Sequence, residues 1–172
     1  MTKILIVDDH AVVRRGLRGI LEEEFAPIVC GEAQDAGEAL DQLGKEAWDV
    51  VVLDINLPGR SGLDVLKDIK KARPRLPVLI LSMHPEDQYA IRILKSGAAG
   101  YMTKESATED LAKAIRKVMT GGKYVSASVA EKLAMDLETK TAGPIHERLS
   151  DREYEILLLI ASGKTVSEIG EK

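Results

Sequence analysis

Strand and helix signals alternate five times between Met1 and Gly122, and then the alternation stops. Short apolar runs stand at Ile4–Val7, Ile28–Cys30, Val50–Leu53, Val78–Leu81 and Gly100–Met102. Each is followed by a stretch with helical spacing: Ala11–Glu24, Ala36–Lys45, Leu63–Ala72, Gln88–Lys95 and Thr108–Met119. A repeated strand–helix unit predicts a parallel sheet with right-handed crossovers and helices on both faces. The run Val50-Val51-Val52-Leu53 is apolar without alternation, which is the pattern of a strand covered on both sides. The expected architecture is therefore α/β: a flavodoxin-like, doubly wound, five-stranded parallel sheet. The helices have readable stops. Pro74 disfavours the α region at the residue before it, and Gly97 and Gly121-Gly122 suit helix C-termini.

Past Gly122 the signals become helical. Ala130–Leu137 reads as a short helix and Lys140–Pro144 as a linker. Ser150-Asp151-Arg152-Glu153 has the form of a capping box opening a helix over Tyr154–Ser162, and Thr165-Val166-Ser167-Glu168 repeats that form. The predicted division is a first domain over residues 1–122, a linker with a short helix over 123–147, and a small all-α remainder over 148–172. Aromatic residues are 3% of the 172, so the core must come from Val, Ile, Leu and Ala. Cys30 is the sole cysteine, which rules out an intrachain disulfide and suggests a reducing, cytoplasmic setting. No apolar run is long enough for a signal peptide or a membrane span. The formal net charge of −4 gives no overall nucleic-acid-binding character.

The chemistry-bearing residues fall at strand ends. Asp8 and Asp9 follow the first strand, Asp54 the third, Ser82 the fourth and Lys104 the fifth. In a doubly wound sheet the first and third strands are neighbours, so the three acids converge at the edge where such folds bind ligands. Clustered carboxylates repel unless a cation joins them. Mg²⁺ accepts one or two carboxylates and keeps positions for phosphate oxygens. A lysine ammonium and a serine hydroxyl suit the same oxygens. Taken singly, Asp8-Asp9 could only cap a helix, Asp54 could only start the Asn56-x-Pro58-Gly59 turn, and Ser82 and Lys104 could be ordinary surface groups. Together at four strand ends they predict phosphoryl transfer to Asp54 as a carboxylate nucleophile. His10 and His84 have no second ligand within a helical turn and read as peripheral. No P-loop run is present. A phosphatase using an aspartyl phosphate would want a general acid where Asn56 stands.

These residues, with Gly97-Ala98-Ala99-Gly100-Tyr101, resemble the receiver domain of bacterial two-component response regulators. Asp8-Asp9-His10, Leu81-Ser82-Met83-His84 and the segment from Ser150 to Ile169 resemble the NarL/FixJ subfamily and the start of its LuxR-type helix-turn-helix domain. The resemblance implies that Asp54 accepts phosphate from a sensor histidine kinase. It implies Mg²⁺ held by Asp8, Asp9, Asp54 and the backbone carbonyl of Asn56. Lys104 would contact the phosphoryl group, Ser82 and Tyr101 would carry the switch, and Asn56 and His84 would tune the lifetime of the acyl phosphate. It further implies a homodimer on phosphorylation, no membrane association, and DNA binding by the full-length protein. No recognition helix follows the second capping box, so these 172 residues alone are not expected to bind DNA specifically. Classical enzyme turnover is not implied beyond self-phosphorylation and autodephosphorylation. The alternative is a stand-alone receiver or phosphorelay module. One departure from the family is Glu105, where many receivers place proline after the lysine; a cis peptide there would be costly.

Overall fold

The computed structural model describes residues 1–83 and 86–138, together with 153, 156 and 157. Its elements run β1 (Thr2–Val7), α1 (Ala11–Phe25), β2 (Ile28–Ala33), α2 (Ala36–Lys45), β3 (Val50–Asp54), α3 (Gly62–Ala72), β4 (Val78–Ser82), α4 (Glu86–Lys95), β5 (Gly100–Thr103), α5 (Ala107–Met119) and α6 (Ala127–Glu138). All five strands are parallel and lie in the order β2-β1-β3-β4-β5. The chain winds outward from β1 in both directions, so the switch point falls between β1 and β3.

The helices sort to two faces by strand periodicity. Ile4 and Ile6 of β1, Val50 and Val52 of β3, and Leu79 and Leu81 of β4 pack with Leu17 and Leu21 of α1 and with Leu111, Ile115 and Val118 of α5. The intervening residues Leu5, Val7, Val51, Leu53 and Ile80 point to the opposite face, and they too are buried. This double burial is what the unbroken valine run predicts, and each such side chain contributes about 1.5–3 kcal/mol on leaving water.

Local signals set the helix ends. Asp35 caps α2: its Oδ1 accepts from Glu38 N–H at 2.9 Å, and Glu38 Oε2 accepts from Gln34 N–H at 3.0 Å. Ser61 caps α3 through the Leu63 N–H at 3.2 Å. Gly97 and Gly121, at φ 99° and 85°, occupy the left-handed conformation that ends α4 and α5. The helix expected at Ala130–Leu137 starts earlier, at Ala127. The Lys104–Glu105 peptide is trans; the cis bond among the described residues is Ala26–Pro27.

The outer edge of β5 is covered by the chain that follows α5. Tyr101 N–H donates to the Tyr124 carbonyl and Tyr124 N–H donates to the Ala99 carbonyl, both at 3.0 Å. At the other edge, Trp48 lies over Gly31 of β2, and a Cβ on Gly31 would collide with the indole ring and reach 2.7 Å from Gln42 Oε1. Gly31→Ala is expected to cost about 1–3 kcal/mol by overpacking. The buried Trp48 fluorescence should shift to the red, and a urea titration followed by that signal reads both effects.

The chain divides into two compact units, Met1–Ala134 and Met135–Lys172. In the second, Glu153, Ile156 and Leu157 are helical. The expected linker over Lys140–Pro144, the rest of the helix over Tyr154–Ser162 and the helix from Thr165 lie outside the described residues, as does His84. No helix among the described residues is long and apolar enough to cross a membrane.

Candidate functional site

The register of the sheet brings the strand ends together. Val7 pairs with Leu53, so Asp8 leaves β1 beside the end of β3. Asp54 pairs with Leu81, and Ser82 pairs with Thr103. Lys104, the next residue, donates its backbone N–H to the Ser82 carbonyl at 2.8 Å. Asp8, Asp54 and Ser82 are each within 1% of full burial, an unusual position for two carboxylates.

Lys104 answers that burial. Its Nζ lies 2.6 Å from Asp54 Oδ2 and 2.6 Å from Asp8 Oδ2. The contact to Asp54 is a hydrogen bond, and Asp8 Oδ2 meets the ammonium as an ion pair, with no hydrogen-bond donor aligned on it among the described residues. The second oxygen of Asp54 accepts from the Asn56 N–H at 3.0 Å. Burial raises the pKa of Asp54; the Lys104 and Asn56 hydrogen bonds oppose that rise and the Asp8 charge adds to it. Burial pulls the Lys104 pKa down, but its contacts with the carboxylates of Asp54 and Asp8 outweigh that and leave it raised. The site therefore holds an aspartate more basic than usual against a firmly protonated lysine.

The β1–α1 loop is organised by His10, which the sequence alone leaves peripheral, and by Arg14, which no sequence motif singles out. His10 donates its N–H to Asp8 Oδ1 at 2.8 Å. Its ring Nδ1 lies 3.2 Å from that oxygen and 2.7 Å from Asp9 Oδ1. No metal-ligating side chain stands one helical turn from His10; its partners are the two residues just before it. Arg14, one turn into α1, donates from Nη1 to the Asp8 carbonyl at 2.7 Å and from Nε to Glu32 Oε2 of β2 at 3.1 Å. The sequence signal for Arg14 was a cation set among Val12, Val13 and Leu17.

Asp8, Asp9, His10 and Asp54 each offer one ligand atom within 4.8 Å of the others. Three carboxylates, one of them with a buried oxygen met only by the Lys104 ammonium among the described residues, form a donor set that fits a hard divalent cation. Tyr101 is fully buried one pleat back from Thr103, on the same side of the sheet as Ser82. Asn56 is half-buried beside Asp54.

Residues 4–116 match the family model of the response regulator receiver domain. Response regulator UvrY of Escherichia coli K12 is 35% identical over 174 residues, covering 100% of this chain and 79% of UvrY. A two-component response regulator of the LuxR family from Aurantimonas sp. SI85-9A1 superposes with a TM-score of 0.72 at 34% identity, covering 80% of this chain and 99% of that one. A structure of two RcsB dimers bound to two parallel DNAs matches with a TM-score of 0.70 at 30% identity, covering 99% of this chain and 81% of that one.

Proposed function

The chain belongs to the response regulator receiver family of two-component systems, with LuxR-type regulators among its relatives, and from that premise we propose that Asp54 is its phosphoacceptor. A carboxylate oxygen of Asp54 attacks the phosphorus of a phosphohistidine on a sensor kinase. The P–O bond forms as the P–N bond breaks, leaving an acyl phosphate on Asp54 and a histidine that recovers a proton. Acetyl phosphate is a small-molecule donor for the same step, with acetate as leaving group. The observation that carries this reading is the buried Asp54 carboxylate, made more basic by burial and aligned by Lys104 Nζ at 2.6 Å and Asn56 N–H at 3.0 Å.

Asp8, Asp9, Asp54 and the Asn56 carbonyl would hold Mg²⁺. Bound there, Mg²⁺ supplies positive charge to the oxygens of the transferring group. Lys104 supplies the second cation and orients the acceptor. Ser82 and Tyr101, on paired strands, would carry the resulting change to the β4–α4 and β5–α5 surface, a local charge event biasing a two-state element. Asn56 and His84 would set how long the acyl phosphate survives hydrolysis. The reading assigns residues 1–122 to the receiver, 123–147 to a linker and 148–172 to part of a helix-turn-helix domain. Kinase recognition, phosphorylation-linked dimerisation and a DNA-binding output of the complete protein belong to the same proposal, supported by the likeness to the DNA-bound RcsB dimers. Beyond self-phosphorylation and autodephosphorylation no catalytic turnover is proposed.

The test is intact mass with acetyl phosphate and Mg²⁺, together with size-exclusion chromatography with and without beryllofluoride. One phosphoryl group per chain and a beryllofluoride-dependent change in size are expected; an unmodified mass would defeat the assignment. Asp9→Ala should remove the dependence of labelling on Mg²⁺, read by comparing labelling rates across a Mg²⁺ titration.

A further inference from the structure

We propose that Arg14 is a positioning residue for phosphoryl transfer: anchored on Glu32 of β2, it holds the Asp8 main chain and, through Asp8, sets the Lys104 ammonium on Asp54. The inference rests on the reading of Asp54 as phosphoacceptor and adds to it two residues outside the expected site set. Four contacts in series carry it. Arg14 Nε donates to Glu32 Oε2 at 3.1 Å, and its Nη1 donates to the Asp8 carbonyl at 2.7 Å. Asp8 Oδ2 lies 2.6 Å from Lys104 Nζ, and Lys104 Nζ donates to Asp54 Oδ2 at 2.6 Å. Two buried carboxylates thus share one ammonium at equal distances, and Lys104 rests where their pulls balance. Moving Asp8 shifts that balance point and draws the ammonium away from the acceptor. The anchor is firm. Glu32 lies in β2 opposite Ile6 of β1, and its other carboxylate oxygen accepts from Arg18 Nη1 at 3.4 Å. The Arg14 side chain is 14% exposed, so water competes little for its two bonds. A planar guanidinium offers diverging donors in fixed geometry, whereas a lysine ammonium on a flexible stem does not hold two such acceptors rigidly. A misplacement of about 1 Å, caused by a change away from the reacting atoms, can slow a reaction about 100-fold.

The experiment follows the labelling rate of the 172-residue chain at one saturating Mg²⁺ concentration, with acetyl phosphate and separately with phosphoramidate as donor. Wild type is compared with Arg14→Ala, Arg14→Lys, Glu32→Gln and the Arg14→Ala/Glu32→Gln double variant, each at a temperature where its melting curve shows it folded. Arg14→Ala should slow labelling ~10-fold or more, and by the same factor with both donors, because the residue acts on the acceptor side. Arg14→Lys should recover part of that loss. Glu32→Gln leaves the Asp8 contact in place and should cost less, and it should add nothing in the Arg14→Ala background. A second readout needs neither metal nor donor. With EDTA present, the amide resonances of His10 and Asn56, whose N–H groups bond the Asp8 and Asp54 carboxylates, should shift in both Arg14 variants. A folded Arg14→Ala that labels at the wild-type rate, or that leaves the Asn56 amide unmoved, would reduce Arg14 to a brace for the start of α1 and overturn the proposal. Multiplying losses in the double variant would overturn the role of Glu32 as anchor. If Arg14→Ala does not fold, wild-type rates in both Arg14→Lys and Glu32→Gln overturn the proposal equally. An unlabelled wild type would instead defeat the proposed function itself.

Discussion

Asp54→Asn is expected to reduce labelling by acetyl phosphate from one phosphoryl group per chain to background, read by intact mass under identical Mg²⁺ and donor concentrations. The amide keeps the size and the Asn56 contact of the carboxylate but is not a nucleophile toward phosphorus. Stoichiometric labelling of the variant at another residue would remove Asp54 from its proposed role. The substitution carries a second, separable signature. Because the folded pKa of Asp54 is raised, chiefly by burial, the native state binds a proton there more readily than the unfolded chain does. Its contribution to stability therefore falls as pH rises from below the unfolded pKa to above the folded one. A neutral amide has no such loss, and Lys104 keeps Asp8 as a partner at 2.6 Å. With EDTA present, the variant should melt higher than wild type at pH 7, and the difference should shrink as the pH is lowered. An equal or lower melting temperature at pH 7 would contradict the electrostatic account of the site.

The second large effect is structural. Gly62 opens α3 against the strand that delivers Asp54. A Cβ there would lie 2.7 Å from Ile55 Cα and 2.9 Å from the Ile55 carbonyl oxygen, and closer still to the Asp54 carbonyl. All three obstacles are main chain and cannot swing aside as a side-chain tip would. The Gly62 N–H also donates to the Ile55 carbonyl at 2.8 Å, pinning the helix at this separation. Gly62→Ala should lower stability by about 3 kcal/mol, the upper end of ordinary overpacking. It should also slow labelling under conditions where the variant remains folded, because the backbone that shifts carries Asp54. Gly19, inside α1, is the matched control: nothing lies within 4 Å of its added Cβ. Gly19→Ala should raise stability by about 0.5–1 kcal/mol through helix propensity. Urea midpoints for the two variants should move in opposite directions; a shared direction would refute the packing argument.

The frame of this molecule could be read from residue patterns because each pattern has one cheap structural solution. Four consecutive apolar residues at Val50–Leu53 require cover on both faces, and parallel strands with crossover helices supply it. Asp8, Asp54, Ser82 and Lys104 could be placed together because strand ends in such a sheet share one edge. The strand limits were short by one to three residues. Thr2, Lys3, Gly31, Glu32, Ser82 and Thr103 join strands through ladder pairing, which side-chain character does not report. The roles of His10, Arg14 and Glu32 escaped for a different reason. They depend on which way side chains turn within a loop and across to a neighbouring strand, and periodicity is blind to that. The Gly62 contact was equally hidden, since a glycine at a helix start reads the same whether or not another backbone presses on it.

The pairing of Tyr124 with Ala99 and Tyr101 has a consequence for how copies of this chain can meet. An outermost strand normally offers its amides and carbonyls to any passing peptide, which is the route by which sheets fuse into fibrils. On the β5 side the Tyr101 amide and the Ala99 carbonyl are already taken by the chain's own continuation. A second sheet cannot pair with those two groups, so association at that point of the flank is left to side chains. Contacts of that kind can be formed and released without unravelling either sheet.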